Sequence, residues 1–171
     1  MTSTTSGVIP RRIVLVPDGW PIIANGRLMT SIPLFIAYAH EDTKHAEYIE
    51  NIFDNSPYKC WRDKRIPAGE NWKDFVEHRI IDSSGMILLI SPEALKSPEV
   101  AYEWAFARGA KIPIIPVCWQ MVDLNQAPSR FRDQQIQNVS KFDRDRWIEL
   151  LSAHDFGGAR TRLVRAKALK L

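Results

Sequence analysis

Three short stretches of the chain are apolar with almost no polar alternation: IPLFIAY from Ile32 to Tyr38, GMILLI from Gly85 to Ile90, and KIPIIPVCW from Lys111 to Trp119. A strand with one face in water alternates apolar and polar residues. Runs that do not alternate therefore mark strands covered on both faces, the habit of a parallel sheet flanked by helices. Parallel neighbours need crossover connections, and helical patterns fill the intervals. After AHEDTKH, where Asp42 or Thr43 fits an N-cap, Ala46, Ile49 and Phe53 recur at helical spacing. YKCW offers a second strand and RDKRIPAGEN a polar loop; Trp72, Phe75, Val76 and Ile80 then form an apolar stripe that runs out near DSSG. Ser91 to Gly109 reads as a third helix, QNVSKFD as a short last strand, and Trp147, Leu150 and Leu151 as a final helix.

The resulting order is β-α-β-α-β-α-β, an irregular stretch around NQAPSRFRDQQ, then β-α. It predicts an α/β domain built on a flavodoxin-like, doubly wound five-stranded parallel sheet with helices on both faces. A chain of 171 residues, 45% of them apolar, has room for one such core and is short for two ordinary domains. The domain is expected over 32–153. Residues 1–31 form an N-terminal extension, read as a hairpin around PDGW or an extra edge strand, and 154–171 a basic tail or linker after a Gly-Gly break. Ligands of such sheets sit beyond the carboxyl ends of the strands, here residues 38–42, 61–69, 91–97 and those after Val117.

Several function classes lose support from composition. A net charge of +3, with acids and bases interspersed, gives no electrostatic pull toward nucleic acid, and the tail cations Arg160, Arg162, Arg165, Lys167 and Lys170 lack interleaved aromatics. The N-terminus has no signal-peptide core, and no apolar run nears the ~20 residues that span a bilayer, so a cytoplasmic protein without membrane contact is expected. Cys60 and Cys118 suit free buried thiols. His40, His45, His78 and His154 show no ligand spacing, so no metal is expected. No G-x-G-x-x-G occurs, so a redox cofactor on a Rossmann site is not expected.

The helix in SPEALKSPEVAYEWAFARG carries the chemistry. Ser97, Pro98 and Glu99 fit N-cap, first position and first turn. Glu103 lies past that turn, between Tyr102 and Trp104, and shares a stripe with Glu99 and Ala107. The stripe reads either as a solvated acidic face or as a site with a functional carboxylate, and the helix's start at the sheet's carboxyl edge favours the second. Trp104 points about a quarter turn away, toward the core.

These stretches, FIAYAHED, CWRDKRIPAGENW and ILLISPEALKSPEVAYEW, resemble the three signature boxes of the TIR (Toll/interleukin-1 receptor) domain, particularly its bacterial NAD-cleaving members. The likeness runs in order from about Ile32 to Leu151. Trp61, Asp63, Gly69 and Trp72 match the second box, and Ser91, Ser97 and Glu103 the third. Ala37 and Ala39 stand where the first box has serines, and Glu99 and Val100 replace a motif tryptophan and cysteine. The resemblance implies an NAD+ nucleosidase or cyclase that releases nicotinamide with ADP-ribose or a cyclic isomer, acts in bacterial immune signalling and is switched on by self-assembly. Glu103 aligns with the catalytic glutamate. Tyr38, Ala39, Arg62, Arg65, Trp72, Ser91, Ser97 and Glu99 are the implied substrate contacts, and Arg65, Ile66 and Pro67 the implied self-association contacts. Each has a plainer reading: a strand-end hydroxyl in water for Tyr38, a solvated loop for Arg62, Lys64 and Arg65, core packing for Trp72. The partners implied are NAD+, further copies of the chain and a possible additional domain. A non-catalytic TIR adapter and a nucleoside deoxyribosyltransferase-like enzyme stand as alternatives.

Overall fold

The computed structural model describes residues 22–24, 27–29, 32–62, 71–120, 122, 123, 125, 129–132, 135–154 and 156. The chain divides into two compact units, Met1–Ser31 and Ile32–Leu171. In the first, β1 (Ile22–Ala24) pairs antiparallel with β2 (Arg27–Met29), Ile22 opposite Met29 and Ala24 opposite Arg27. Asn25 and Gly26, between the two strands, fall outside the described residues. This hairpin lies past PDGW, which falls outside the described residues.

The second unit contains β3 (Ile32–Ala37), a 3-10 turn (His40–Asp42), α1 (Thr43–Ile52), β4 (Tyr58–Trp61), α2 (Trp72–Asp82), β5 (Gly85–Ile90), α3 (Pro98–Gly109), β6 (Ile114–Cys118), α4 (Ser129–Arg132), β7 (Gln137–Asn138) and α5 (Arg144–Ser152). Strands β3 to β7 form one parallel sheet in the order β4-β3-β5-β6-β7. The chain steps outward from β3 to β4, then returns to build the other half from β5. That reversal is the doubly wound pattern, and its switch point lies between β3 and β5, paired from Leu34 opposite Gly85 to Ala37 opposite Leu88.

The apolar runs follow from this placement. Phe35, Ala37, Met86, Leu88 and Ile90 point to one face and pack with Val76 and Ile80 of α2 and Val100, Trp104 and Ala107 of α3. Leu34, Ile36, Ile87, Leu89, Ile115 and Val117 point to the other, where Ala46 and Ile49 of α1 and Trp147 and Leu151 of α5 cover them. All six residues of β5 are buried, so no position was free to be polar.

Side-chain caps fix three helix starts. Asn71 accepts from the Lys73 N–H at 3.0 Å, Ser97 from the Val100 N–H at 3.2 Å, and Asp143 from the Arg146 N–H at 2.9 Å. The third helix consequently begins at Pro98 rather than Ser91; residues 92–96 form a separate turn, closed by the Leu95 N–H on the Ser91 carbonyl at 3.0 Å. Within the stretch read as irregular, α4 makes one helical turn that seats Phe131 in the core.

Gly85 opens β5 under the ring of Phe156. A Cβ there would stand 2.6 Å from Phe156 Cε1 and 3.4 Å from Leu34 Cδ2. Gly85→Ala is therefore expected to destabilise the domain by about 1–3 kcal/mol through overpacking. A urea midpoint equal to that of the wild type would contradict this.

Candidate active site

At the carboxyl edge of the sheet β3 gives way to Tyr38 and Ala39. The Ala39 carbonyl accepts the Asp42 N–H at 2.8 Å and starts the 3-10 turn, with Ala39 itself buried in the α2/α3 face. Tyr38 is half-buried against the opposite, α1/α5 face. Arg62, directly after β4, reaches back to α1, donating from Nε to Glu50 at 2.8 Å and from Nη2 to Glu47 at 2.9 Å, and it also bonds Tyr38. Its side chain is 10% exposed. The guanidinium implied as a substrate contact is thus already held by two carboxylates of α1. Arg65, Ile66 and Pro67 lie outside the described residues.

Across the switch point, Ser91 follows β5. Its hydroxyl donates to Asp42 Oδ2 at 2.5 Å and accepts the Ala94 N–H at 2.9 Å, and both side chains are buried. Asp42 occupies the N-cap position of α1 but makes no side-chain cap bond; the expected cap is turned instead toward β5. Burial pushes the Asp42 carboxyl above the ordinary aspartate range, and Glu93 and Glu41 add to this, while the Ser91 hydrogen bond and His45 oppose it. Between the ordinary and the raised value the folded chain keeps a proton that the unfolded chain has released. The group's contribution to stability is therefore greatest below the ordinary range and declines as pH rises through the raised value. Asp42→Asn, which does not titrate, should gain on the wild type in that interval. Melting-temperature differences between the two proteins that are equal at about pH 4 and about pH 7 would refute it.

Helix α3 sorts its two acids differently. Glu99, in the first turn, is exposed and accepts from the Ser97 hydroxyl at 3.0 Å. Glu103 is 7% exposed and lies on the buried stripe Val100, Glu103, Trp104, Ala107. This is the i, i+3, i+4, i+7 pattern of a core-facing helix with a carboxylate inserted in it. Among the described residues Asp42 and Glu103 are the only buried acids. Trp104 sits in the core with its ring 5.7 Å from Phe131. Trp72, the first residue of α2, is half-buried and lies 5.6 Å from the ring of Tyr102, whose hydroxyl donates to Glu77.

The sequence reading brought Ser91, Ser97, Glu99 and Glu103 to one segment. It missed what Asp42 does, and an aromatic group beside it: His45 and Tyr48 of α1 lie 4.8 Å and 5.2 Å from Trp119, the residue that follows β6. Helical spacing of His45 and Tyr48 was the available signal. Among the described residues no group of three or more His, Cys, Asp or Glu could hold a metal ion, and no helix is long and apolar enough to cross a membrane. Cys60 and Cys118 are free, and burial pushes both thiols up, away from the reactive thiolate.

A doubly wound parallel sheet with a buried acid on the helix after its third strand belongs to the class of α/β domains that bind ligands at the switch point. The family model for the TIR domain matches residues 34–152, and the chain belongs to that family. Among solved structures it is similar to the TIR domain of the Toll-related receptor TRR-2 from Hydra magnipapillata: 17% identity, TM-score 0.59, covering 70% of this chain and 95% of that one. It is also similar to the TIR domains of the activated Roq1 resistosome that recognises the pathogen effector XopQ (16% identity, TM-score 0.49, 82% and 100% covered). A 2-deoxyribosyltransferase from Bacillus psychrosaccharolyticus aligns more loosely (14% identity, TM-score 0.43, 54% and 78% covered). No curated protein matches the chain. At these identities the Hydra domain shows the shared fold.

Proposed function

We propose that this TIR domain is an NAD+ nucleosidase of the bacterial type, cleaving the nicotinamide–ribose bond, with Glu103 as the catalytic carboxylate. The observation that carries the reading is the burial of Glu103 on a core-facing helix stripe, where an apolar residue would serve packing better. As the C–N bond breaks, its electron pair goes to the nicotinamide nitrogen and leaves oxocarbenium character on the ribose. A fixed anion in a dry setting stabilises that charge, and it can hold the ribose hydroxyls in place. Water adding to the sugar carbon, with loss of its proton, gives ADP-ribose; attack by the substrate's own adenine gives a cyclic isomer. Tyr38, Ala39, Trp72, Ser97 and Glu99 would be substrate contacts at the sheet's carboxyl edge, while Ser91, whose hydroxyl is taken up by Asp42 and the Ala94 N–H, would act through the turn it holds. Arg65, Ile66 and Pro67 would meet a second copy, so that assembly completes the site. Immune signalling in the cytoplasm is the setting that this chemistry suits.

Concentrated wild-type protein incubated with NAD+ should release nicotinamide, and Glu103→Ala should not. Equal release by both would remove Glu103 from the reaction. Transfer of deoxyribose between bases would instead select the deoxyribosyltransferase reading. A second reading, a non-catalytic module that binds other TIR domains, draws support from the exposed Glu99 at the motif tryptophan position and from the engagement of Arg62 by Glu47 and Glu50. Silence toward NAD+ even when assembly is forced would select it.

A further inference from the structure

The segment SPEALKSPEV carries the tetrapeptide pattern Ser-Pro-Glu-apolar twice, at Ser91 and at Ser97. Both serines accept the N–H three residues on: Ser91 from Ala94 at 2.9 Å, Ser97 from Val100 at 3.2 Å. As caps they are alike. They differ in where the hydroxyl proton goes. Ser97 donates to its exposed neighbour Glu99 at 3.0 Å, whereas Ser91 donates to the buried Asp42, 49 residues away, at 2.5 Å. The first bond is local and wet. The second joins the carboxyl ends of β3 and β5 across the switch point.

The turn between β5 and α3 is anchored at Ser91 through two atoms, its hydroxyl under Ala94 and its carbonyl under the Leu95 N–H. The far end of the turn is closed by the Ser97 N–H on the Glu93 carbonyl at 3.0 Å, and Ser97 then starts α3. A shift at Ser91 would therefore be passed along a short, hydrogen-bonded unit to the helix that carries Glu103.

We propose that Asp42 is a positioning residue for Glu103: by holding the Ser91 hydroxyl across the switch point, it sets where α3 begins and hence where the Glu103 carboxylate stands. The inference rests on the reading of Glu103 as the catalytic group. A bond of this kind matters to rate because a misplacement near one ångström can cost about a hundredfold in a reaction that depends on orientation.

Steady-state nicotinamide release from NAD+ by the full chain, measured well below each protein's melting temperature, tests the proposal. Asp42→Ala should lower kcat about tenfold or more with KM changed less than about twofold. Asp42→Asn, whose amide oxygen still accepts from Ser91, should return kcat to within about threefold of wild type. Ser91→Ala, which also removes the bond from the Ala94 N–H, should be at least as slow as Asp42→Ala, and the double variant should be no slower than Ser91→Ala alone, since the Asp42 bond is already gone there. A folded Asp42→Ala protein with wild-type kcat would overturn the proposal, as would an Asp42→Asn protein as slow as Asp42→Ala. Should Asp42→Ala not fold, Ser91→Ala and Asp42→Asn decide together: a slow first and a fast second support the bond, and two wild-type rates refute it. A wild-type chain inert toward NAD+ would sink the functional reading by itself. The Asp42–Ser91 bond is then judged by amide exchange in the first turn of α3, where about tenfold faster exchange at Val100 in Asp42→Ala than in both wild type and Asp42→Asn supports it and equal exchange in all three refutes it.

Discussion

Exchanging Glu103 for glutamine is expected to cut nicotinamide release by about two to three orders of magnitude while the domain stays folded. Glutamine nearly matches glutamate in volume and keeps a carbonyl oxygen at the same reach, so the stripe of Val100, Trp104 and Ala107 around it needs little repacking. On the proposed reading, what disappears is the negative charge that would face the sugar as it loses its leaving group. The decisive comparison is between rate and melting temperature. A large loss of rate with a melting shift of a few degrees assigns the acid to chemistry; an unfolded Glu103→Gln protein, or an unfolding midpoint that falls while specific activity holds, assigns it to architecture.

The largest expected effect on stability belongs to Trp147. This side chain is 0% exposed and anchors α5 to the sheet, with edge-on contacts to Phe53 at 5.9 Å and Phe142 at 6.0 Å. Trp147→Ala removes the burial of a large ring and leaves a cavity between α1, α5 and the sheet, at a cost of about 3–5 kcal/mol. A domain of this size holds roughly 5–15 kcal/mol in all, so the variant should melt about 10–20 °C lower or fail to accumulate. Chemical denaturation would show the same loss as a lowered midpoint with little change in slope. A shift below about 1 kcal/mol would mean that the neighbouring aromatics close over the gap.

Much of the fold could be read from the chain because its central strands are covered on both sides. β3 and β5 had no solvent face, and their unbroken apolar runs announced this. The stripes of α2 and α5 were legible for the same reason, since each buries one face at helical spacing. The start of α3 was harder. Ser91-Pro92 and Ser97-Pro98 both satisfy the chemistry of a helix start, and the first of them produces only a turn. Local sequence does not reveal how long a helix continues after its cap.

The site divides along the same line. Glu103 could be singled out because it stands past the first turn of its helix and matches the glutamate of the third signature box; that it lies on a core-facing stripe is what the structure adds. Asp42 could not, because an aspartate before a helix has a sufficient local explanation as a cap, and only the pairing of β3 with β5 brings Ser91 within its reach. The partners of Arg62 were hidden in the same way. A cation in a polar loop looks available until the register of β4 beside β3 places it under Glu47 and Glu50 of α1. Long-range polar contacts depend on topology, and topology enters a sequence reading last.

The outer strands of the parallel sheet are its shortest, four residues in β4 and two in β7. Such brief borders expose few unpaired backbone groups and give a neighbouring sheet little to zip onto. Copies of this domain that gather would therefore do so through loops and helix faces, an arrangement that can be dissolved again, rather than by the fibre-like stacking that long open borders invite.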